Sequence, residues 1–145
     1  MEEFRLDPRL RDDSRPLGRL RLCEVRLMDE RRWPWIILVP QVHGATELHD
    51  LGDADIAQLS AETAIASAGL KQATGCLKIN SGALGNIVRQ LHVHVVARNE
   101  GDDGWPGPVW GRGARQPRGE AEGKALAGRI RMMLFAGSDR DDDPL

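Results

Sequence analysis

Two histidines, His92 and His94, are the side chains of this sequence best suited to chemistry, and they lie in a stretch that alternates between polar and apolar residues. The polar positions are Gln90, His92 and His94, and the apolar positions are Leu91, Val93 and Val95. Because successive side chains of a strand point to opposite faces, a strand here predicts a polar row opposite an aliphatic row that packs on a core. Imidazoles change charge near neutral pH, so a neighbouring pair can exchange protons or bind ions.

Three hypotheses explain this pair of histidines. In the first, both rings are structural and are satisfied by hydrogen bonds at a buried face. In the second, His-x-His on a strand points two nitrogens at one metal ion. In the third, one histidine is the nucleophile of a phosphoryl or nucleotidyl transfer and its neighbour handles charge.

Composition excludes several classes of partner. The 145 residues carry a formal net charge of −2, so no global basic field attracts nucleic acid or a membrane surface, and phosphate recognition must be local. No apolar run approaches the roughly 20 residues of a membrane span, and the charged first residues do not resemble a secretion signal. Cys23 and Cys76 lie in apolar segments and are expected to be buried thiols of a cytoplasmic protein, too few for a cysteine-rich zinc module.

The first part of the chain predicts a hairpin over residues 19–40, after a polar N-terminal segment. A change of parity at Leu22–Cys23 predicts a bulge or bend, since a one-residue slip moves every side chain to the other face. The apolar run Trp33–Pro40 is typical of a strand buried on both faces.

The second part predicts a long helix over residues 54–74, capped by Asp53 and stopped by Gly75. A strand over 76–80, a turn over 81–86 and the histidine strand follow. The proline- and tryptophan-rich segment 105–111 should lie over a surface, and a last helix spans about 120–136. Without an internal boundary, we expect one domain over residues 1–137 and a disordered acidic tail over 138–145.

In these features the sequence resembles the histidine triad (HIT) superfamily, whose signature is His-φ-His-φ-His-φ-φ, with φ an apolar residue. The resemblance covers about residues 19–110. Its matching elements, in family order, are Val39-Pro40-Gln41-Val42-His43, Asn80, the turn to Gly85, Gln90-Leu91-His92-Val93-His94-Val95-Val96 and Trp105-Pro106.

The resemblance implies an α+β fold, with a mainly antiparallel sheet of about five strands, one long helix and a C-terminal helix. It implies cleavage or transfer at the α-phosphate of a nucleotide substrate, either a nucleoside phosphoramidate or a dinucleoside polyphosphate. The chemistry would use imidazole alone, so no cofactor and no metal are expected. Members are usually homodimers, and segment 105–111 could reach a partner's active site. The alternative is that its tryptophans cap their own sheet.

The resemblance also implies roles for individual residues. His92 matches the nucleophile, held by a backbone carbonyl on its other nitrogen, and His94 would contact phosphate oxygens or the departing group. His43 matches an auxiliary histidine beside the triad. Asn80 and the turn Gly85-Asn86-Ile87 match a region that contacts phosphate, where backbone N–H groups can hold an anion.

Two positions depart from the family pattern. Gln90 replaces the first triad histidine, whose side chain in the family bonds the auxiliary histidine; the amide keeps a donor and an acceptor but cannot be protonated. Leu27 stands where many members carry a ribose-binding aspartate, and Asp29, of the same parity, is the candidate substitute. Two other functions therefore stay open: a catalytically weak nucleotide- or partner-binding protein on this fold, and a His-x-His metal-binding protein.

Overall fold

The structure, a computed structural model, describes residues 2–135. These residues contain five strands and three α-helices. The strands are β1 (Ser14–Arg19), β2 (Cys23–Met28), β3 (Trp35–Pro40), β4 (Lys78–Gly82) and β5 (Val93–Arg98). The helices are α1 (Pro8–Asp12), α2 (Asp53–Thr74) and α3 (Glu120–Phe135), and a short 3₁₀ turn covers Leu48–Asp50. The strands form a single antiparallel sheet in the order β1-β2-β3-β5-β4, which confirms the predicted α+β fold.

The predicted hairpin is present as β2 and β3, with Cys23 opposite Pro40 and Leu27 opposite Ile36. The parity change at Leu22–Cys23 marks the tight turn between β1 and β2, and the irregularity in that pair lies earlier, between Pro16 and Gly18. The polar composition of residues 14–19 concealed β1, because an edge strand needs little apolar surface.

One face of the sheet carries the main hydrophobic core. Alternate residues of β2, β3 and β5 pack there against α2 and α3. The strands contribute Val25, Ile36, Leu38 and Val95, and the helices contribute Leu70 and Ile130. The predicted helix boundaries agree closely with α2, which ends at Gly75 in the left-handed conformation that glycine adopts without strain. The Glu62 carboxylate, buried in α2, accepts the N–H groups of Leu22 and Cys23 and so holds the β1–β2 turn.

The other face of the sheet is covered by two segments without long helices. The N-terminal segment packs Phe4, Leu6 and Leu10 onto Ile37 and Val39. The proline-rich segment after β5 packs Val109 and Trp110 against Trp33, Trp35 and Val96, as expected for a segment that lies over a surface. As a result, all four residues Ile36, Ile37, Leu38 and Val39 are fully buried, which confirms a strand covered on both faces.

Two further predictions concern the chain termini and the thiols. Both cysteines are free and buried, as expected. In residues 2–135 no helix combines the length and the apolar character required to cross a membrane. The acidic tail 138–145 lies outside the described residues, so its predicted disorder stays a prediction.

Candidate active site

His92 lies immediately before β5, on the sheet face that the two covering segments share. Its Nδ1 atom is 2.7 Å from the backbone carbonyl oxygen of Gln90. A carbonyl can only accept a hydrogen bond, so Nδ1 carries the ring proton and Nε2 keeps its lone pair. This contact is the one expected for a nucleophilic histidine, and the lone pair has no hydrogen-bond partner among residues 2–135.

His94 has the opposite arrangement of protons. The indole N–H of Trp35 donates to His94 Nδ1 over 3.0 Å. Because an indole nitrogen is only a donor, Nδ1 must be the acceptor and a neutral ring carries its proton on Nε2. The two imidazole rings lie with centroids 4.7 Å apart, one offering a lone pair and the other an N–H group.

Burial keeps both rings neutral. His92 is 6% exposed and His94 is 8% exposed. Burial lowers the pKa of His92, and the Gln90 carbonyl and the Asp7 carboxylate partly oppose this shift. Burial and the neighbouring His92 lower the pKa of His94 to about 3. The rings are therefore uncharged at neutral pH, the state in which a histidine can attack phosphorus.

Gln90 ties the N-terminal segment to His92. Its side-chain amide donates to the carbonyl oxygen of Arg5 and accepts the N–H of Asp7, both over 2.8 Å. The amide thus pairs with the backbone as a neighbouring strand would, and the same residue's own carbonyl orients His92. One consequence is that the Asp7 carboxylate interacts electrostatically with His92.

A pocket of about 240 Å³ opens beside His92. The turn after β4 forms one wall, including Leu84 and Gly85, and Thr46, Glu47 and Leu48 form another. Gly85 has a φ of 73°, a value that glycine adopts readily, so a side chain here would strain the turn. The N–H groups of residues 85–87 have no acceptor within the described chain, so they are available to an anion.

Two residues of that turn are exposed. Asn86 is exposed, and Ile87 is 81% exposed while its carbonyl accepts from the Arg9 guanidinium over 3.2 Å. The side chain of Ile87 therefore contributes little packing within one chain. A phosphate contact at Ile87 would therefore come from its backbone.

His43 lies in an adjacent pocket of about 570 Å³ that it shares with Gln90 and Glu2. Its Nε2 atom is 2.6 Å from the Glu2 carboxylate, and the side chain is half exposed. The expected bond between position 90 and the auxiliary histidine does not form, because the Gln90 amide is satisfied by the N-terminal backbone instead.

Three of the predicted nucleotide-binding residues do not approach the His92 pocket in the structure. The side-chain oxygen of Asn80 accepts from the buried Arg98 guanidinium over 3.3 Å. Leu27 is 2% exposed in the main core, on the opposite face of the sheet from the histidines.

Asp29 follows the end of β2. Because β2 and β5 run in the same direction, this position is at the opposite end of the sheet from His92, which precedes β5. Its carboxylate pairs with Arg115 at 2.9 Å and accepts the N–H of Arg118. The loop that carries these arginines is thereby fixed against the β2–β3 turn.

Sequence reasoning missed two residues around the histidines, Trp35 and Asp7, whereas the packing of Trp110 within its own chain was the alternative considered for segment 105–111. Trp35 and Trp110 both pack edge-to-face on His94, with ring centroids 5.5 and 5.6 Å away. The alternation of β3 gives Trp35 the same parity as Ile37, and Ile37 is paired with His94. That pairing could have indicated the contact, whereas no local signal marks Asp7, which reaches the site through Gln90.

The arrangement does not suit a metal ion. In residues 2–135 no three His, Cys, Asp or Glu side chains converge as metal ligands would. Of the two adjacent imidazoles, only His92 offers a free lone pair, because the His94 lone pair is used by Trp35.

The fold and the site together define an α+β protein with a long helix behind an antiparallel sheet and a His-x-His pair at the start of a central strand. The profile of the HIT domain matches residues 10–101. The chain belongs to the histidine triad family, whose members are generally nucleotide-binding proteins, hydrolases or transferases.

Three solved structures show how close the similarity is. A histidine triad protein from Sinorhizobium meliloti 1021 is 57% identical, with 90% of this chain and 97% of that chain covered and a TM-score of 0.88. One from Bradyrhizobium japonicum is 37% identical, covering 92% and 100%, with a TM-score of 0.89. One from Marinobacter aquaeolei VT8 is 40% identical, covering 92% and 97%, with a TM-score of 0.88. A comparison with curated proteins found no match.

Proposed function

We propose that this protein cleaves a nucleotide at its α-phosphate, acting as a hydrolase or transferase with His92 as the covalent nucleophile. The observation that carries the proposal is the 2.7 Å contact between His92 Nδ1 and the Gln90 carbonyl, which leaves the Nε2 lone pair unpaired beside a pocket. A neutral imidazole held in one tautomer is the reactive form of a nucleophilic histidine.

The turn at the pocket and the ring beside His92 carry donors that fit a phosphate. Gly85 lines the pocket, and the N–H groups of residues 85–87 are unpaired within the described chain. The His94 ring, whose centroid is 4.7 Å from that of His92, carries an Nε2–H group with no acceptor among the described residues. Hydrogen-bond donors aimed at developing negative charge stabilise a transition state more than the ground state. Asn80, tied to Arg98, is the weaker candidate for substrate contact. Leu27 is buried in the core on the other face and Asp29 is paired with Arg115, so the proposal gives neither a role.

In the proposed reaction, the Nε2 lone pair of His92 forms a bond to the α-phosphorus, and the bond from phosphorus to the leaving group breaks with its electron pair departing on the leaving group. Nδ1 keeps its proton, which it donates in a hydrogen bond to the Gln90 carbonyl. The nucleotidylated ring is therefore cationic and remains a good leaving group. Water or another acceptor then attacks phosphorus, and the electron pair returns to Nε2 as the acceptor loses its proton to solvent.

The test is incubation with adenosine 5′-phosphoramidate and with diadenosine tetraphosphate, with and without a chelator. We expect chelator-insensitive release of AMP and its loss in His92→Ala. No release of AMP from either compound would reject the proposal.

A catalytically weak nucleotide- or partner-binding protein is the second candidate. It is favoured by one observation, the burial of His92 and His94, each of which is less than a tenth exposed. Calorimetry with AMP, read together with the turnover assay, separates the enzyme from the binding protein. A binding protein should bind AMP and turn over neither compound.

A further inference from the structure

The hydrogen bond between Trp35 and His94 determines which protons His94 can give. Trp35 Nε1–H donates to His94 Nδ1 over 3.0 Å, and the rings of Trp35 and Trp110 pack on the imidazole from two sides. The proton of the neutral ring is therefore on Nε2, in a ring whose centroid is 4.7 Å from that of His92. If Nε2 gave up that proton, the ring would become an imidazolate unless Nδ1 gained another. Trp35 is a donor with no acceptor atom, so it does not relay protons as an imidazole would.

We propose that Trp35 is a positioning residue that keeps His94 a permanent Nε2–H donor and thereby restricts the site to leaving groups that depart without a proton. The inference rests on the proposed function. It selects P–O–P anhydrides, such as dinucleoside polyphosphates, over phosphoramidates.

The two substrate classes differ in what their leaving groups require. When His92 Nε2 attacks the α-phosphorus of an anhydride, the P–O bond breaks and its electron pair leaves on the bridging oxygen as a stable phosphate oxyanion. The His94 N–H can bond this oxygen without transferring its proton. When the bond is P–N, the electron pair would leave on nitrogen, and an amine departs only if that nitrogen has gained a proton.

The rest of the pocket does not supply another imidazole for this step. The side chains that line the space beside His92 include Thr46, Glu47 and Arg89, but His92 is the only histidine of that lining in the described chain. Its own Nδ1 proton is held by the Gln90 carbonyl. His43 lies in the adjacent pocket and pairs with Glu2.

The experiment compares kcat/KM for diadenosine tetraphosphate and for adenosine 5′-phosphoramidate in the full-length protein. We expect the anhydride to be preferred by about 100-fold or more, the size of a missing general acid. Trp35→His, which can pass a proton to Nδ1, should reduce that preference at least about tenfold. Trp35→Phe should keep the preference for the anhydride, since phenylalanine, like tryptophan, cannot pass a proton to His94 Nδ1. Trp33→Phe is the matched control, because Trp33 donates its N–H to the Asp103 carbonyl and makes no bond to His94.

Nitrogen-15 NMR gives a readout that does not depend on activity. We expect the His94 ring of the wild-type protein to be protonated on Nε2 and Trp35→Phe to lose this single tautomer, with Trp33→Phe unchanged. A wild-type ring protonated on Nδ1 overturns the inference even if no variant folds. Equal turnover of the two substrates overturns the inference alone, whereas turnover of neither rejects the proposed function and the inference with it.

Discussion

His92 Nδ1 lies 2.7 Å from the backbone carbonyl oxygen of Gln90, two residues earlier in the chain. The contact uses only the backbone of position 90, so glutamine at the position where the family signature has its first histidine leaves the tautomer of His92 unchanged. The freed side chain has a separate use, since it binds the N-terminal segment through Arg5 and Asp7.

Replacing His92 by alanine should abolish nucleotide cleavage. Loss of a covalent nucleophile removes about 10⁴-fold or more of turnover in comparable enzymes. Steady-state rates measure the loss, and mass spectrometry of the wild-type protein under single-turnover conditions should find a nucleotidylated histidine. His49→Ala is the control, because His49 is exposed in the loop before α2. Near wild-type turnover by His92→Ala would remove the mechanism.

Gln90→Leu should destabilise the fold and release the N-terminal segment. The substitution removes two hydrogen bonds to backbone groups, so we expect the free energy of unfolding to fall by about 1–2 kcal/mol. Chemical denaturation measures the change, and faster hydrogen exchange at the Asp7 amide locates it. Gln72→Leu, at an exposed position of α2, is the matched control. Unchanged protection at Asp7 would contradict the assigned contact.

Asp7→Asn should move the acidic limb of the pH–rate profile to lower pH. Only neutral His92 is nucleophilic, and burial already lowers its pKa below the usual imidazole value of about 6.5. The Asp7 carboxylate favours the imidazolium form, so removing its charge lowers the pKa of His92 further. The measurement is kcat/KM between pH 4 and 7, roughly the range that brackets this titration. Asp12→Asn, on the exposed side of α1, should leave the limb in place, and a shift to higher pH in Asp7→Asn would refute the argument.

Purified protein should contain no stoichiometric zinc. A metal bridging His92 and His94 would need a lone pair on each Nε2, and the Trp35 bond places a proton on that atom of His94. Elemental analysis should therefore find well under one zinc per chain, and a chelator should leave both turnover and the melting temperature unchanged. One zinc per chain, lost together with the fold on chelation, would favour the metal-binding hypothesis.

Light scattering should find a homodimer at micromolar concentration, as the family resemblance implies. Trp110 packs against Trp35 and His94 of its own chain, which was the alternative considered for segment 105–111. Replacing Trp110 should therefore disturb the histidine site first. We expect Trp110→Ala to reduce turnover, because His94 loses a ring that fixes its orientation, and a weaker dimer would add an intermolecular role. Normal turnover and normal assembly would confine Trp110 to local packing; a monomeric wild type would end the dimer hypothesis.

Most strands and the two long helices could be predicted from local patterns in the sequence, and the family resemblance singled out His92 as the nucleophile candidate. Period-two alternation fixed the face on which His92 and His94 lie, and the apolar run before Pro40 could only be a strand covered on both sides. The long helix was also readable, because its alanine-rich stripe and Gly75 are local signals. The predictions of the strands and of the long helix succeeded because each depends on residues close together in the chain.

Which side chains meet depends on how the strands and segments pack together. Trp35 reaches His94 because β3 pairs with β5, and Asp7 approaches His92 because the Gln90 amide binds a segment more than 80 residues away. Parity alone allowed Asp29 to face a nucleotide, but Arg115 and Arg118 occupy its carboxylate at the far end of β2. The tautomer of each histidine is set by its hydrogen-bond partner, and for His94 that partner is a residue 59 positions away, invisible to local pattern.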